Sequence, residues 1–390
     1  MARAAGSWLA LGALALGVGV VQLACETGGD SADVDPTVQQ LLADFGPLVV
    51  EPALSTWRAE LDALEAAALA WQDEAYGDTT TTAAHLAAQD QFVAAFLAWH
   101  AVEPLQVGPL GSSLSVPGGL DLADEIYSWP SVNGCRVDQE TLAQEYGDAD
   151  WVQTQLSNAY GLDALEHLLW SGLETECPSQ VGIDDQWDAL SVTDLTRARA
   201  DYAVALVGVL QDHSDAVDAQ WATHAQALAA GADPYDDALH ALDTVFGALF
   251  YVDGAVKDRK LGQPLGLLDC DADTCPDHAE ALLSGQGAPA VSANLQGFVA
   301  AFNGGDGTGL DDVLVEHGHG DLAAQIQDAA ATAIATADAT PAALDQAIAD
   351  DPAAVEALHA DVKALTDLLK GDLVTVLTLT LPDEAAGDAD

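Results

Sequence analysis

The sequence predicts an all-α protein built from two helical halves, and three observations predict it. Alanine and leucine dominate a chain of 390 residues that is 50% apolar, while aromatic residues make up 6% and β-branched runs are sparse. That balance favours helices over sheets. Apolar positions advance mostly by threes and fours over long stretches, as in Leu195, Tyr202, Leu206, Val209, His213, Val217, Trp221, His224 and Leu228, which makes a seam suited to a bundle. Gly172, Pro178 and Gly182 interrupt the pattern and divide the chain near residue 185, giving segments 37–185 and 186–390.

The elements follow in chain order. Residues 1–24 read as an export signal, with Arg3 ahead of an apolar run at 8–21 that is short for a membrane span. Leu23-Ala24-Cys25 resembles a bacterial lipobox, although Gln22 stands where an aliphatic residue is usual. Cys25 would then become a lipidated N-terminus and 25–36 a polar tether, which places the protein in the cell envelope, facing the periplasm or the exterior. Cleavage without lipidation is the alternative. An opening helical hairpin or kinked helix covers 36–76, with Leu54, Trp57, Leu61, Leu64 and Trp71 inward and Pro47 and Pro52 as kink points. Thr79 to Thr82 offer N-caps for a helix at 83–103, whose inner face would carry Leu86, Phe92, Phe96 and Trp99. The Gly-, Ser- and Pro-rich stretch 105–121 reads as a functional or lid-like loop. Helices are expected at 138–146, 149–157, 159–171, 192–229, 235–257, 290–303, 321–337, 341–349 and 352–378.

A formal charge of −53, from 10 basic against 63 acidic residues, makes nucleic acid or an anionic membrane surface a poor partner and cations a plausible one. A solvated acidic surface accounts for most of the excess. Beyond Cys25, the cysteines are Cys135, Cys177, Cys270 and Cys275, which in an exported chain suggest two disulfides with three possible pairings. Cys270 with Cys275 would close a small loop and leave Cys135 with Cys177 around the 159–171 helix. A four-thiolate metal site is the weaker alternative, because paired C-x-x-C arms are missing.

Two pairs carry the chemistry: His100-x-x-Glu103, and Asp163-x-x-Glu166 among the leucines of 162–169. Each lies within one helical turn, with Cβ atoms about 5–6 Å apart. Like charges beside an apolar stripe are costly unless something positive lies between them. Two such pairs on helices about 8–10 Å apart could converge on one cation. Three carboxylates and one imidazole suit iron, with zinc or calcium less favoured. The structural alternative is a polar network: Glu103 capping the loop, His100 bonding a backbone carbonyl, and Asp163 with Glu166 paired to Lys260 or Arg259. Asp269 to Glu280 has the acidic spacing of a calcium loop, yet Thr274 replaces the glycine of its sharp turn. A zinc peptidase would need H-E-x-x-H or equivalent ligands, and no H-E-x-x-H occurs. His317-Gly318-His319 reads as a polar connector, and His213 and His224 as core histidines.

Several of these segments also resemble one family. Gly161-Leu162-Asp163-Ala164-Leu165-Glu166 is similar to the G-x-H-x-x-E signature of the imelysin family, with Asp163 in the place of the motif's histidine. Trp99 to Pro109, Tyr127-Ser128-Trp129-Pro130, the basic turn Lys257 to Gly266, the serine-and-asparagine region holding Ser284, Ser292 and Asn294, and the acidic tail ending Gly387-Asp388-Ala389-Asp390 resemble further family segments in the same order. The resemblance implies a fold of two packed up-and-down helical bundles, a cleft lined by Gly161, Lys260, Ser284 and Ser292, and a role linked to iron uptake or to peptidase activity. The expected function is therefore binding of iron or an iron-bearing ligand in the envelope, with iron-transport proteins as partners. The competing readings are a metal-dependent peptidase, and a helical scaffold that has lost its site.

Overall fold

The computed structural model describes residues 35–77, 82–148 and 150–377. The signal segment, the Cys25 lipidation site and the acidic tail at 378–390 lie outside them, as do Thr79, Thr80 and Thr81. No strand occurs among the described residues, and the fold is all-α.

The first helix, α1 (Pro36–Phe45), starts on an Asp35 cap whose carboxylate accepts the Thr37 N–H at 2.7 Å. A π-helical turn (Gly46–Val50) carries it into α2 (Glu51–Tyr76) without a break. Pro47 and Pro52 each withdraw an N–H, and the wider turn absorbs the loss, so 36–76 is helically continuous rather than a hairpin. Leu54, Trp57, Leu61, Leu64, Ala68 and Trp71 face inward from α2. In α3 (Ala83–Val102) the buried line runs Ala88, Phe92, Ala95, Phe96, Trp99 and His100. Leu86 departs from its expected place: near the start of the helix it is 55% exposed. Thr82 holds the N-cap position, but its side chain makes no capping bond.

Short pieces follow: α4 (Leu122–Ile126), α5 (Gly134–Ala143), α6 (Trp151–Thr154), α7 (Leu162–Trp170) and α8 (Asp184–Trp187). The 39-residue α9 (Val192–Ala230) begins beyond the expected boundary at 185, and it packs on α1, α2 and α7. The rest of the chain supplies α10 (Ala238–Ala248), a π-helical stretch (Val252–Gly262), α11 (Gly287–Asn303), α12 (Leu310–Glu316), α13 (Gly320–Ala339), α14 (Leu344–Asp350), α15 (Ala353–Leu368), a π-helical turn (Leu369–Leu373) and α16 (Val374–Leu377). Here α13 lies against α11, α12 and α15, and the Val252–Gly262 stretch lies against α11 and α15.

Among the contacts between the earlier and the later group of helices, the one between α3 and α11 is a close approach of two backbones. On α11, Gly297 sits against the Ala101 carbonyl of α3, where a Cβ would collide with that oxygen. Glycine there lets two backbones meet, and a single hydrophobic core runs through both groups. Residues 238–262 are long and apolar enough to cross a membrane by length and composition alone, but 56% of that window is buried inside the protein. Cys135 is bonded to Cys177, and Cys270 to Cys275.

Candidate functional site

Where α3 meets the Val252–Gly262 stretch and α11, four charged or ionisable side chains are packed out of solvent. His100 and Glu103 come from the last turn of α3, Lys260 from the π-helical stretch, and Glu280 from the segment before α11. Lys260 stands at their centre. Its ammonium lies 3.1 Å from Glu103 Oε2, 2.9 Å from Glu280 Oε1 and 2.9 Å from Asn294 Oδ1. The Asn294 amide donates to Glu103 Oε2 at 2.9 Å and to the His100 carbonyl at 2.7 Å. His100 Nδ1 bonds the Phe96 carbonyl at 2.7 Å, while its Nε2 is 3.2 Å from Glu280 Oε1 and 3.5 Å from Glu103 Oε2. The Tyr127 hydroxyl donates to Glu280 Oε1 at 2.9 Å.

The charges in this cluster answer one another. Burial alone would raise the Glu280 carboxyl, but the Lys260 ammonium and His100 outweigh it and hold Glu280 well below its ordinary range. Burial pushes the Tyr127 and Tyr251 phenols far up, so both stay neutral donors at any ordinary pH. The π-helical register presents Lys260 here: Gln263 N–H reaches back five residues to the Asp258 carbonyl at 2.8 Å. Wide turns of this kind recur at functional sites because they shift which side chains face inward.

Glu103, Tyr127, Tyr251, Lys260 and Glu280 also line a cleft of about 820 Å³. Its walls come from the Ser112 to Pro117 loop, α4, α10 and the π-helical stretch. The loop is held shut upon itself: Asp121 N–H bonds the Gly111 carbonyl at 3.1 Å, and Ser113 N–H bonds Asp121 Oδ1 at 2.8 Å. Glu280 Oε2 is buried and without a partner among the described residues.

Asp163 and Glu166 lie close by but are bound elsewhere. Asp163 Oδ1 accepts the Ala164 N–H at 3.0 Å and Oδ2 the Ser128 hydroxyl at 3.3 Å; burial pushes its carboxyl up to about 7 against those bonds. Glu166 Oε1 accepts the Ser284 N–H at 2.8 Å, and burial raises Glu166 as well. Gly161 precedes them at φ 97°, with Asp163 Oδ1 only 3.1 Å from where a Cβ would stand, which is why glycine opens α7. All four carboxylates act electrostatically on Tyr127, yet no bond or ion pair joins Asp163 or Glu166 to His100 or Glu103 among the described residues. Ser292 points away from the cleft: its hydroxyl donates to Asp338 Oδ1 at 2.7 Å beside a separate groove between α3 and α13.

Three sequence expectations need correction. Asp269 to Glu280, read mainly as an acidic surface loop closed by a disulfide and only secondarily as a calcium loop, does not keep Glu280 at the surface: it is 1% exposed and turned into the Lys260 cluster. His317 is more than a connector: its Nε2 lies 3.0 Å from Asp35 Oδ2 and ties α12 to the start of α1. His213 is only partly buried. Glu280, Tyr251 and Arg259 were missed as lining residues. The available signal for Glu280 was a lone carboxylate between Ala279 and Ala281-Leu282-Leu283, an apolar setting that a solvated loop does not need.

A resident metal fits poorly at the point where His100, Glu103 and Glu280 converge, because the Lys260 ammonium already occupies it at salt-bridge distance from two of the three. Elsewhere, Cys275, Asp277 and His278 bring one ligand atom each within 4.8 Å of one another at the surface. That group is only a weak metal candidate, because the Cys275 sulfur is bonded to Cys270 and offers no thiolate.

Comparison with known proteins agrees with this architecture. An imelysin-like protein from Psychrobacter arcticum 273-4 has a solved structure that superposes with a TM-score of 0.69 at 21% identity, covering 89% of this chain and 97% of that one. A putative iron-regulated protein A precursor from Parabacteroides distasonis ATCC 8503 gives 0.64 at 12% identity, covering 88% and 95%. No curated protein matches. The family model described as imelysin, peptidase M75, matches residues 56–371, and the chain belongs to the imelysin family.

Proposed function

We propose that this protein is an exported envelope binding protein that takes an iron-bearing ligand into the 820 Å³ cleft, as cargo rather than as a resident cofactor. One observation carries the reading: the cleft has room for a small chelate, and its floor is a buried ion network in which Lys260 already holds both Glu103 and Glu280. Bare ions gain little from carboxylates that an ammonium holds, whereas a chelate brings its own donor atoms and needs only shape, hydrogen bonds and peripheral charge. The neighbour described as iron-regulated supports iron as the metal, and the excess of acidic residues suits a metal-bearing partner. The envelope location rests on the segment before Pro36, with Cys25 as the anchoring residue.

Calorimetry with ferric citrate and with ferrous sulfate tests this, using the wild type and Thr244→Trp, which fills the cleft from α10. One-to-one saturable binding of the ferric chelate, lost in Thr244→Trp and much weaker for the free ion, is expected. Tight binding of the free ion that survives Thr244→Trp would overturn the reading. Cleavage of an unfolded protein substrate that Thr244→Trp abolishes would put the peptidase reading in its place.

A further inference from the structure

The chain has ten basic side chains, and Arg3 lies outside the described residues. Eight of the other nine are committed within the fold. Arg58 pairs with Asp218 and Arg136 with Glu140. Arg197 bonds the Ala75 carbonyl, and Arg199 the carbonyls of Ser171 and Gly172. Lys257 and Lys370 share Asp253, Lys363 pairs with Asp367, and Lys260 holds Glu103 and Glu280. Arg259 alone makes no ion pair or hydrogen bond among the described residues; it acts on Asp124 only through space. It is exposed, and it lines the cleft next to Lys260.

That position is improbable as plain surface charge. At a formal charge of −53 the protein repels anions at long range, and an unattached guanidinium would find many surface carboxylates to pair with. Around it the lining carboxylates are largely engaged: Lys260 bonds both Glu103 and Glu280, Lys257 and Lys370 flank Asp253, Asp243 has a contact of its own, and Asp124 meets Arg259 only through space. A planar fork of N–H donors is left facing the open volume, matched to the two oxygens of a carboxylate. Donors that could take the remaining oxygens of a polyoxygen ligand stand around it in the hydroxyls of Ser112, Ser115 and Thr244.

We infer that Arg259 is the anion anchor of the cleft, and that the ligand is a carboxylate-bearing small molecule: a metal–polycarboxylate chelate, held through a carboxylate on its chelator. This rests on the cargo reading above and names its chemical class. It also bears on a tension within that reading, since an acidic protein can hold an anionic chelate only where a positive group directly contacts the bound carboxylate.

The test is calorimetry with sodium citrate, ferric citrate and inorganic phosphate against the wild type, Arg259→Gln, Arg259→Lys and Arg58→Gln. The last removes the same charge away from the cleft. Ferric citrate should bind the wild type and Arg58→Gln alike, bind Arg259→Gln about tenfold or more weakly, and bind Arg259→Lys at an intermediate level, because a charged hydrogen bond is lost in one and a fork becomes a point charge in the other. Equal binding to the wild type and Arg259→Gln overturns the anchor and leaves the cargo reading standing. Citrate that binds through Arg259 as tightly without iron supports the anchor and removes iron from the reading. Phosphate binding more tightly than either citrate form would overturn the carboxylate class, and no binding of any probe would overturn both proposals.

Discussion

Asp163 shows what a buried charge costs when nothing positive is beside it. Its carboxyl keeps one backbone N–H and one hydroxyl, and burial lifts it from 3.8 to about 7. The folded value lies above the unfolded one, so below about pH 4 the group is protonated in both states and costs nothing. Between there and about pH 7 the folded protein retains a proton that the unfolded chain releases, and stability falls as pH rises; above that the full cost is present. Asp163→Asn keeps an acceptor for the Ala164 N–H but cannot ionise. Urea denaturation should therefore find it close to wild type near pH 4 and more stable by a few kcal/mol near pH 8. A difference that does not change with pH would show that Asp163 is not the group responsible. The sequence made the problem visible, two acids among leucines, but it suggested a bound cation as the solution. The solution is divided instead: backbone N–H groups for Asp163 and Glu166, with a retained proton for Asp163, and a lysine for Glu103 and Glu280. His100 and Glu103 were legible as an i, i+3 pair, whereas Lys260 and Glu280 reach them from across the fold at separations that no local pattern encodes.

At the scale of elements, the long helices were legible because period and length agree over many turns: the expected 192–229 is Val192–Ala230, and 321–337 is Gly320–Ala339. Short helices such as Leu122–Ile126 and Leu310–Glu316 offer only one or two turns of pattern and were missed. The π-helical stretch Val252–Gly262 was read as the end of an ordinary helix up to 257 and a basic turn beyond it, because residue propensities do not separate the two windings, and this hid the cleft-lining place of Arg259. Disulfide positions matter here in proportion to the chain they enclose. Cys135–Cys177 spans 42 residues and holds the Asp138–His167 contact (3.0 Å) next to the Glu176 N–H that bonds Asp138 at 2.7 Å. Cys270–Cys275 spans five. Chain-entropy arguments give about 4 kcal/mol for the first and about 2 kcal/mol for the second. The double variant Cys135→Ser/Cys177→Ser should accordingly lose roughly twice the unfolding free energy of Cys270→Ser/Cys275→Ser in denaturant titrations. The reverse order would mean that the small loop near Glu280, not the long one, secures the fold.

For the whole molecule, the decisive quantity is net charge. With 63 acidic and 10 basic residues, and the basic side chains largely spent on internal pairs, the surface repels itself in the folded state and is relieved when the chain expands. Screening should therefore stabilise the protein. The Debye length falls from about 30 Å at 0.01 M salt to about 8 Å at 0.15 M and about 3 Å at 1 M, so most of the gain should come in the first interval. The buried Lys260 cluster is shielded from solvent and contributes little to this dependence, so the slope reports the surface alone. Thermal midpoints measured in sodium chloride should climb steeply up to about 0.15 M and then flatten. Sodium and potassium chloride should give the same curve, since screening depends on ionic strength and not on the identity of the ion. A midpoint that fell with salt would mean that exposed pairs such as Lys363–Asp367 outweigh the repulsion. A rise confined to one cation would mean that the acidic surface binds that ion specifically, and the charge excess would then be a binding property rather than a solvated shell.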